Sequence, residues 1–286
     1  MKVPESVVKA SVRYRTKILR VDTPQLAQNY LRNGFITGMK VLSTEEAVIH
    51  RTALEQAETQ LGPLHYLNKI HTVLRSPYTL AIHPRLINIV EAILGPDILL
   101  YNVTYIIKEP GTPHFVSWHQ DLTYWGFDSD DQVSAWLALS PATGESGCMR
   151  MLAGSHTQGM RKQSQTNDPD NVLLLGQTIK NIPEDKAVLC PLNPGEASLH
   201  HGWTIHSSTP NNSCERRIGV NIQYIKPSMS QQNAQSDSAL LIRGSDSYGH
   251  FEPDPLPPDQ IPADATERIA NLTERSSQIK AQQSRL

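Results

Sequence analysis

Apolar positions along the first third of the chain recur at helical spacing. Residues 24–34 (PQLAQNYLRNG) form a short amphipathic stretch that stops at Gly34. Ser43 followed by Glu46 has the spacing of a capping box, and the run EEAVIHRTALEQAETQLG continues with helical periodicity to Gly62. A third helix is predicted from Pro84 through IVEAIL, with the proline in its first turn and Gly95 closing it. After Gly95 the texture changes. Segments such as DILLYNVTYIIKEP, DQVSAWLALSP, GCMRMLAG, AVLCPLNPGEASLHHG and RRIGVNIQYIKP are short and rich in β-branched and aromatic residues. Gly, Pro, Asn and Asp clusters separate them. Helices first and strands later predict a mainly β fold with flanking helices. A helical N-terminal layer (about 20–95) would cover an antiparallel sandwich or jelly roll (about 97–227). A C-terminal loop and helix (about 228–286) would follow. It includes the Pro-rich stretch HFEPDPLPPDQIP and a polar helix from about 264 to 284. We read residues 1–286 as a single domain, since β barrels and sandwiches of this length fold as one unit.

Composition narrows the function classes. Lys and Arg number 26 against 28 Asp and Glu, a net charge of −2 with no long basic run, so no nucleic-acid partner is expected. There is no apolar stretch of 18 residues, and MKVPESVVKASVRYRTK lacks a secretory h-region, so no membrane partner is expected. Cys148, Cys190 and Cys214 are widely spaced and odd in number, which fits small apolar side chains in a reducing cytoplasm. The terminal Ser284-Arg285-Leu286 is close to a peroxisomal address and would matter in a eukaryotic cell. A monomer or homodimer is expected.

Chemistry concentrates in Ser117-Trp118-His119-Gln120-Asp121. In an extended strand residues i and i+2 share a face, so His119 and Asp121 can reach one metal ion. Such a pair with a distant histidine makes the 2-His-1-carboxylate triad of non-haem Fe(II). The pair alone is weak evidence, because 11 histidines and 14 aspartates produce one by chance in about every second chain of this length. His250-Phe251-Glu252 has the same spacing, but no strand is expected in its Pro-rich surroundings. A third ligand is offered by His200, His201 and His206 in PGEASLHHGWTIHSS.

WHQD, then AWLALSPATGESGCMRMLAGSH, then PGEASLHHGWTIHSS and ERR, in that order, resemble the phytanoyl-CoA dioxygenase (PhyH-like) family of Fe(II)/2-oxoglutarate oxygenases over residues 24–227. The resemblance implies a double-stranded β-helix (jelly roll, cupin-like) core. It implies Fe(II), 2-oxoglutarate and O₂ as cofactors, with ascorbate as a stimulant. His119, Asp121 and His206 become the metal ligands, and Arg217, eleven residues beyond His206, the anchor of the distal carboxylate of 2-oxoglutarate. A guanidinium fork suits that task. Arg216 should point to the opposite face of the same strand. Ser208, Trp136, Thr104 and Lys69 match further cosubstrate positions, although Lys69 also reads as a solvated surface lysine.

The implied reaction oxidises a C–H bond of a small-molecule metabolite, with natural-product biosynthesis as the expected setting, and releases succinate and CO₂. Related halogenases have Ala or Gly in place of the carboxylate, so Asp121 favours hydroxylation. Residues 157–180 and 229–260 are the expected specificity loops, with Arg161, Lys162 and Arg243 as solvated charges. His156 reads as structural, His114 as a loop residue near the pocket mouth, and Gly144-Glu145-Ser146-Gly147 as a turn. Two other readings are a cupin-like metalloenzyme without 2-oxoglutarate, which would not need Arg217, and a non-catalytic jelly-roll binding module.

Overall fold

A computed structural model describes residues 23–173, 176–232 and 236–283. The N-terminal MKVPESVVKASVRYRTK and Ser284-Arg285-Leu286 lie outside the described residues. In chain order the elements are α1 (Thr23–Asn33), β1 (Phe35–Lys40), α2 (Thr44–Leu61), α3 (Arg75–Ala81) and α4 (Pro84–Leu94). Then come β2 (Ile98–Lys108), β3 (Val116–His119), β4 (Gln132–Ala138), β5 (Met149–Met151), β6 (Ser164–Gln165), β7 (Gln177–Thr178) and β8 (Val188–Cys190). The chain continues with β9 (Glu196–His201), β10 (His206–Ser208), β11 (Arg217–Ile225), β12 (Ser238–Arg243), β13 (Glu252–Pro253) and α5 (Ala265–Gln283).

The capping box forms as its spacing predicts. Ser43 Oγ accepts from the Glu46 N–H at 3.1 Å, and the Glu46 carboxylate accepts from the Ser43 N–H at 2.7 Å. Such a cap is worth about 1 kcal/mol. One element of the helical third is a strand. Phe35–Lys40 lacks a clear two-residue alternation, yet it pairs antiparallel with β9 at the edge of the main sheet. Gly34 ends α1 with φ 81°, a left-handed turn that glycine adopts without strain, and sends the chain back along β9. A second correction concerns the Pro-rich stretch, which does contain the short strand β13, paired parallel with β12.

Seven strands make the main sheet, in the order β1-β9-β4-β11-β2-β12-β13, and a four-stranded sheet, β3-β10-β5-β8, faces it. The two form the predicted jelly roll. The alternation within the main sheet positions the site. On one face Ile218, Val220, Ile222 and Tyr224 of β11 join Val133, Ala135 and Leu137 of β4 beneath the helices, where Leu54, Leu80, Leu86 and Val90 are fully or nearly fully buried. Each such side chain contributes about 2 kcal/mol of hydrophobic stabilisation. On the other face Arg217, Asn221, Gln223, Ser134, Trp136, Ser198 and His200 point toward the small sheet, and most are buried too. Antiparallel sheets usually turn their polar face to water. Here that face lines an internal chamber.

Candidate metal centre and cosubstrate pocket

His119 ends β3, and its partner across the ladder is His206, which begins β10. The two imidazole centroids are 4.0 Å apart. Asp121 lies just past the strand, at the start of the 3-10 turn 121–124, rather than within it as expected. The same-face geometry survives because Gln120 stays extended, with φ −128° and ψ 129°. Gln120 itself points the other way and is fully buried. Its amide donates to the carbonyls of Gly159 and Trp203 and accepts from the Arg161 N–H. It thereby ties two loops to the turn carrying Asp121, a role nothing in its sequence context suggested.

The donor set suits a divalent cation. The His119 and His206 Nδ1 atoms lie 2.8 and 2.9 Å from the Ser117 and Thr204 carbonyls, so each Nδ1–H donates outward and each Nε2 lone pair faces inward. Both Nε2 atoms approach one oxygen of Asp121, at 3.5 and 3.6 Å, and the three ligand atoms lie within 4.8 Å of one another. Burial, and then the neighbouring His119, pushes His206 well below its usual pKa, so this imidazole is in the neutral form that binds metals. Burial alone would raise Asp121. The surrounding imidazoles of His206, His119 and His200 outweigh it and hold the carboxylate well below its usual range. The other Asp121 oxygen accepts from the Ser134 hydroxyl at 2.8 Å and lies 3.2 Å from His200 Nε2. His200 therefore meets the other oxygen of Asp121, not the one that His119 and His206 share. Strand alternation separates it from His201, whose Nε2 lies 3.8 Å from Asp130.

The predicted cosubstrate residues share the chamber with this group. Arg217 is 1% exposed, donates to the Gly147 carbonyl and lies over the Trp136 ring at 5.2 Å. A side chain at Gly219 would place its Cβ 2.0 Å from that ring, so this glycine makes room for Trp136. Arg216 takes the outer face, bridging Glu58 and Glu109. Thr104 lines the chamber and donates to Asn68 at 3.2 Å, while Ser208 accepts from Lys108 at 2.7 Å. Lys69 corrects the surface reading. It is 8% exposed, with φ 53°, and its ammonium is held by the Tyr101 and Ser238 carbonyls and by Asp254.

Of the two loops expected to set specificity, 157–180 contributes Leu173 and 229–260 contributes Asp237, while α5 adds Leu272 and Arg275, which the sequence reading did not anticipate. Arg161, Lys162, Arg243 and His114 are not in the lining. Arg243 pairs with Glu91 and His250 bonds the Met229 carbonyl. His156 bonds the Leu31 carbonyl, a structural contact. Cys148 and Cys190 are buried small side chains, but Cys214 is exposed.

A jelly roll whose chamber gathers two imidazoles, one carboxylate and a buried arginine is the architecture of mononuclear non-haem oxygenases. The sequence profile of the family Phytanoyl-CoA dioxygenase (PhyH) matches residues 35–219, and the chain belongs to that family. It is 28% identical over 145 residues to 1-deoxypentalenic acid 11-beta-hydroxylase of Streptomyces arenae, covering 46% of this chain and 50% of that one. It is 26% identical over 194 residues to a probable alpha-ketoglutarate-dependent hypophosphite dioxygenase of Stutzerimonas stutzeri, covering 67% and 61%. The chain thus spans half to three fifths of the length of these relatives. Among solved structures the apo form of the non-heme monooxygenase ThoJ superposes with a TM-score of 0.79 at 29% identity, over 91% of this chain and 99% of that one.

Proposed function

We propose that the protein is an Fe(II)- and 2-oxoglutarate-dependent oxygenase that hydroxylates an unactivated C–H bond of a small-molecule metabolite. The observation that carries this reading is the convergence of His119 Nε2, His206 Nε2 and Asp121 in one buried chamber with Arg217. In it His119, Asp121 and His206 hold the ion, and Arg217 and Ser208 hold the far carboxylate of 2-oxoglutarate. Trp136 and Thr104 wall the cosubstrate, while Lys69 acts through the chamber wall it braces. When bound, ferrous iron and 2-oxoglutarate supply the oxidant from O₂, with succinate and CO₂ as by-products. The chain's own residues position and shield: His200 and Ser134 orient Asp121, and the apolar side chains Val116, Met149 and Leu173 keep bulk water from the reacting centre.

Asp121 fills the position that a halide would need, which favours hydroxylation over halogenation. No described helix is long and apolar enough to cross a membrane. A cytoplasmic monomer or homodimer acting on a free metabolite, in natural-product biosynthesis, completes the reading. The test is succinate release from 2-oxoglutarate with Fe(II) and ascorbate across a metabolite panel. Stimulation by one compound, abolished in Arg217→Ala, is the expected result. Fe(II) binding with no succinate release under any compound would favour a cupin-like enzyme without 2-oxoglutarate, and absence of Fe(II) binding a non-catalytic module.

A further inference from the structure

Two basic side chains meet beside the chamber. Lys108, the last residue of β2, is paired directly with Arg217, the first of β11, so the two side chains leave the same face of the sheet. They are 3% and 1% exposed. Like charges opposed on a ladder are destabilising, and a buried charge without a counter-ion is more so. Among the described residues no carboxylate reaches either one. The Lys108 amine meets the Ser208 hydroxyl at 2.7 Å, the Ser208 carbonyl at 3.3 Å and the Thr209 carbonyl at 2.5 Å. Arg217 has the Gly147 carbonyl and the Trp136 ring. Neighbouring Arg216, outside, has two glutamates. Inside, Arg217 is left for a ligand to neutralise.

We propose that Lys108 is a positioning residue for the distal carboxylate of 2-oxoglutarate, acting through the Ser208 hydroxyl. The proposal rests on the reading of the protein as a 2-oxoglutarate oxygenase. Ser208 lines the chamber beside Arg217, whereas Lys108 lies behind it. A hydroxyl has one hydrogen. When the protonated amine donates to Ser208 Oγ, that hydrogen is free to turn into the chamber and donate to the carboxylate beside the Arg217 fork. When the amine is neutral, its two hydrogens serve the Ser208 and Thr209 carbonyls, and the Ser208 O–H donates backward to Nζ. The protonation of Lys108 thus sets whether the chamber presents a hydroxyl donor.

The groups facing Lys108 from the elements around it are Arg217 on β11, Arg150 on β5, Cys148 just before β5, and His65 ahead of β2. Burial, then Arg217 and Arg150, lowers Lys108 to about 6, with the Cys148 sulfur opposing. His65 is itself lowered to about 4 and is neutral. An arriving carboxylate brings negative charge and raises Lys108, so binding draws in a proton near neutral pH. The affinity for 2-oxoglutarate then falls as pH rises above about 6.

The test is calorimetric titration of the full-length protein loaded with Mn(II), which binds without turnover. The ligands are 2-oxoglutarate and 2-oxovalerate, which lacks the far carboxylate. In two buffers of different ionisation enthalpy at pH 7, wild-type protein should take up a proton with 2-oxoglutarate and none with 2-oxovalerate. Lys108→Met should weaken 2-oxoglutarate about tenfold or more, abolish the proton uptake and leave 2-oxovalerate and Mn(II) binding unchanged. In a Ser208→Ala background the same change should cost less than about twofold, because the two residues act in series. Equal proton uptake with both ligands, wild-type affinity in Lys108→Met, or additive losses in the double variant would overturn the proposal. If Lys108→Met does not fold, the wild-type proton measurement decides alone. Failure of Mn(II)-loaded wild-type protein to bind 2-oxoglutarate at all is a separate outcome, which removes the oxygenase reading along with the proposal.

Discussion

Two buried carboxylates, Asp254 beside His71 and Asp121 among three histidines, lie close to the same chamber, and they differ in what neutralises them. Asp254 has the Lys69 ammonium at 3.0 Å and His71 at 3.5 Å, and the charges cancel within the protein. Asp121 has His119, His206 and His200 between 3.2 and 3.6 Å, and no lysine or arginine among the described residues pairs with it. This second cluster offers the carboxylate imidazoles but no lysine or arginine, so its negative charge lacks the fixed counter-ion that Asp254 has. Burying such a charge is costly unless a cation completes it. The first cluster is closed and reads as structure. The second is open and reads as a binding site, as does the opposite case of buried Arg217, which no carboxylate among the described residues reaches.

The contrast can be broken by exchanging the outcomes. Asp121→Ala removes the only anionic ligand and should reduce Fe(II) affinity by on the order of 100-fold or more, with turnover at background. Equilibrium dialysis with Fe(II) or Mn(II) measures this, while urea denaturation of the metal-free chain should show no loss of stability. Asp254→Asn should do the reverse, costing about 3–5 kcal/mol in urea because the Lys69 charge is left buried and alone, with metal affinity retained. If Asp254→Asn loses metal but not stability, the assignment of the two clusters is inverted.

Acid separates them further. Burial alone would raise Asp254, but its bonds to His71 and Lys69 hold it well below the usual carboxylate range. A depressed folded pKa contributes stability that is fully present above about pH 4 and is lost as pH falls further. Denaturant midpoints between pH 5 and 2 should therefore drop less steeply in Asp254→Asn than in the wild type. A smaller effect sharpens the picture at the open cluster. His200→Gln removes an imidazole that touches Asp121 without being a ligand, and metal affinity should fall about 10-fold, within the range for supporting partners. The smallest is a control: Ser43→Ala, at the cap of α2, should cost about 1 kcal/mol and leave metal binding unchanged.

Much of this was legible along the chain. The capping box at Ser43 and Glu46, the Pro84 to Gly95 helix and the strand-rich region after it follow from local chemistry, which acts over three or four residues. The Arg216/Arg217 alternation was legible as well, but not its direction, because strand period says that two neighbours diverge and not which one faces the core. β1 was missed because FITGMK carries no alternation of its own and is a strand through its pairing with β9. Lys69 was misread because lysine is rarely buried, and its three acceptors come from residues 32 to 185 positions away.

The sequence by itself determined the capped helices, the strand-rich stretch after Gly95 and the short list of candidate metal ligands, since caps, periodicity and the His-x-Asp spacing are local, and its family resemblance implied the jelly roll. The tertiary structure is what sets His206 opposite His119, turns Arg217 inward as the family resemblance implied, and places Lys108 behind Ser208. Those are facts about register between strands up to 109 residues apart, fixed by which hydrophobic face each strand buries beneath the helices.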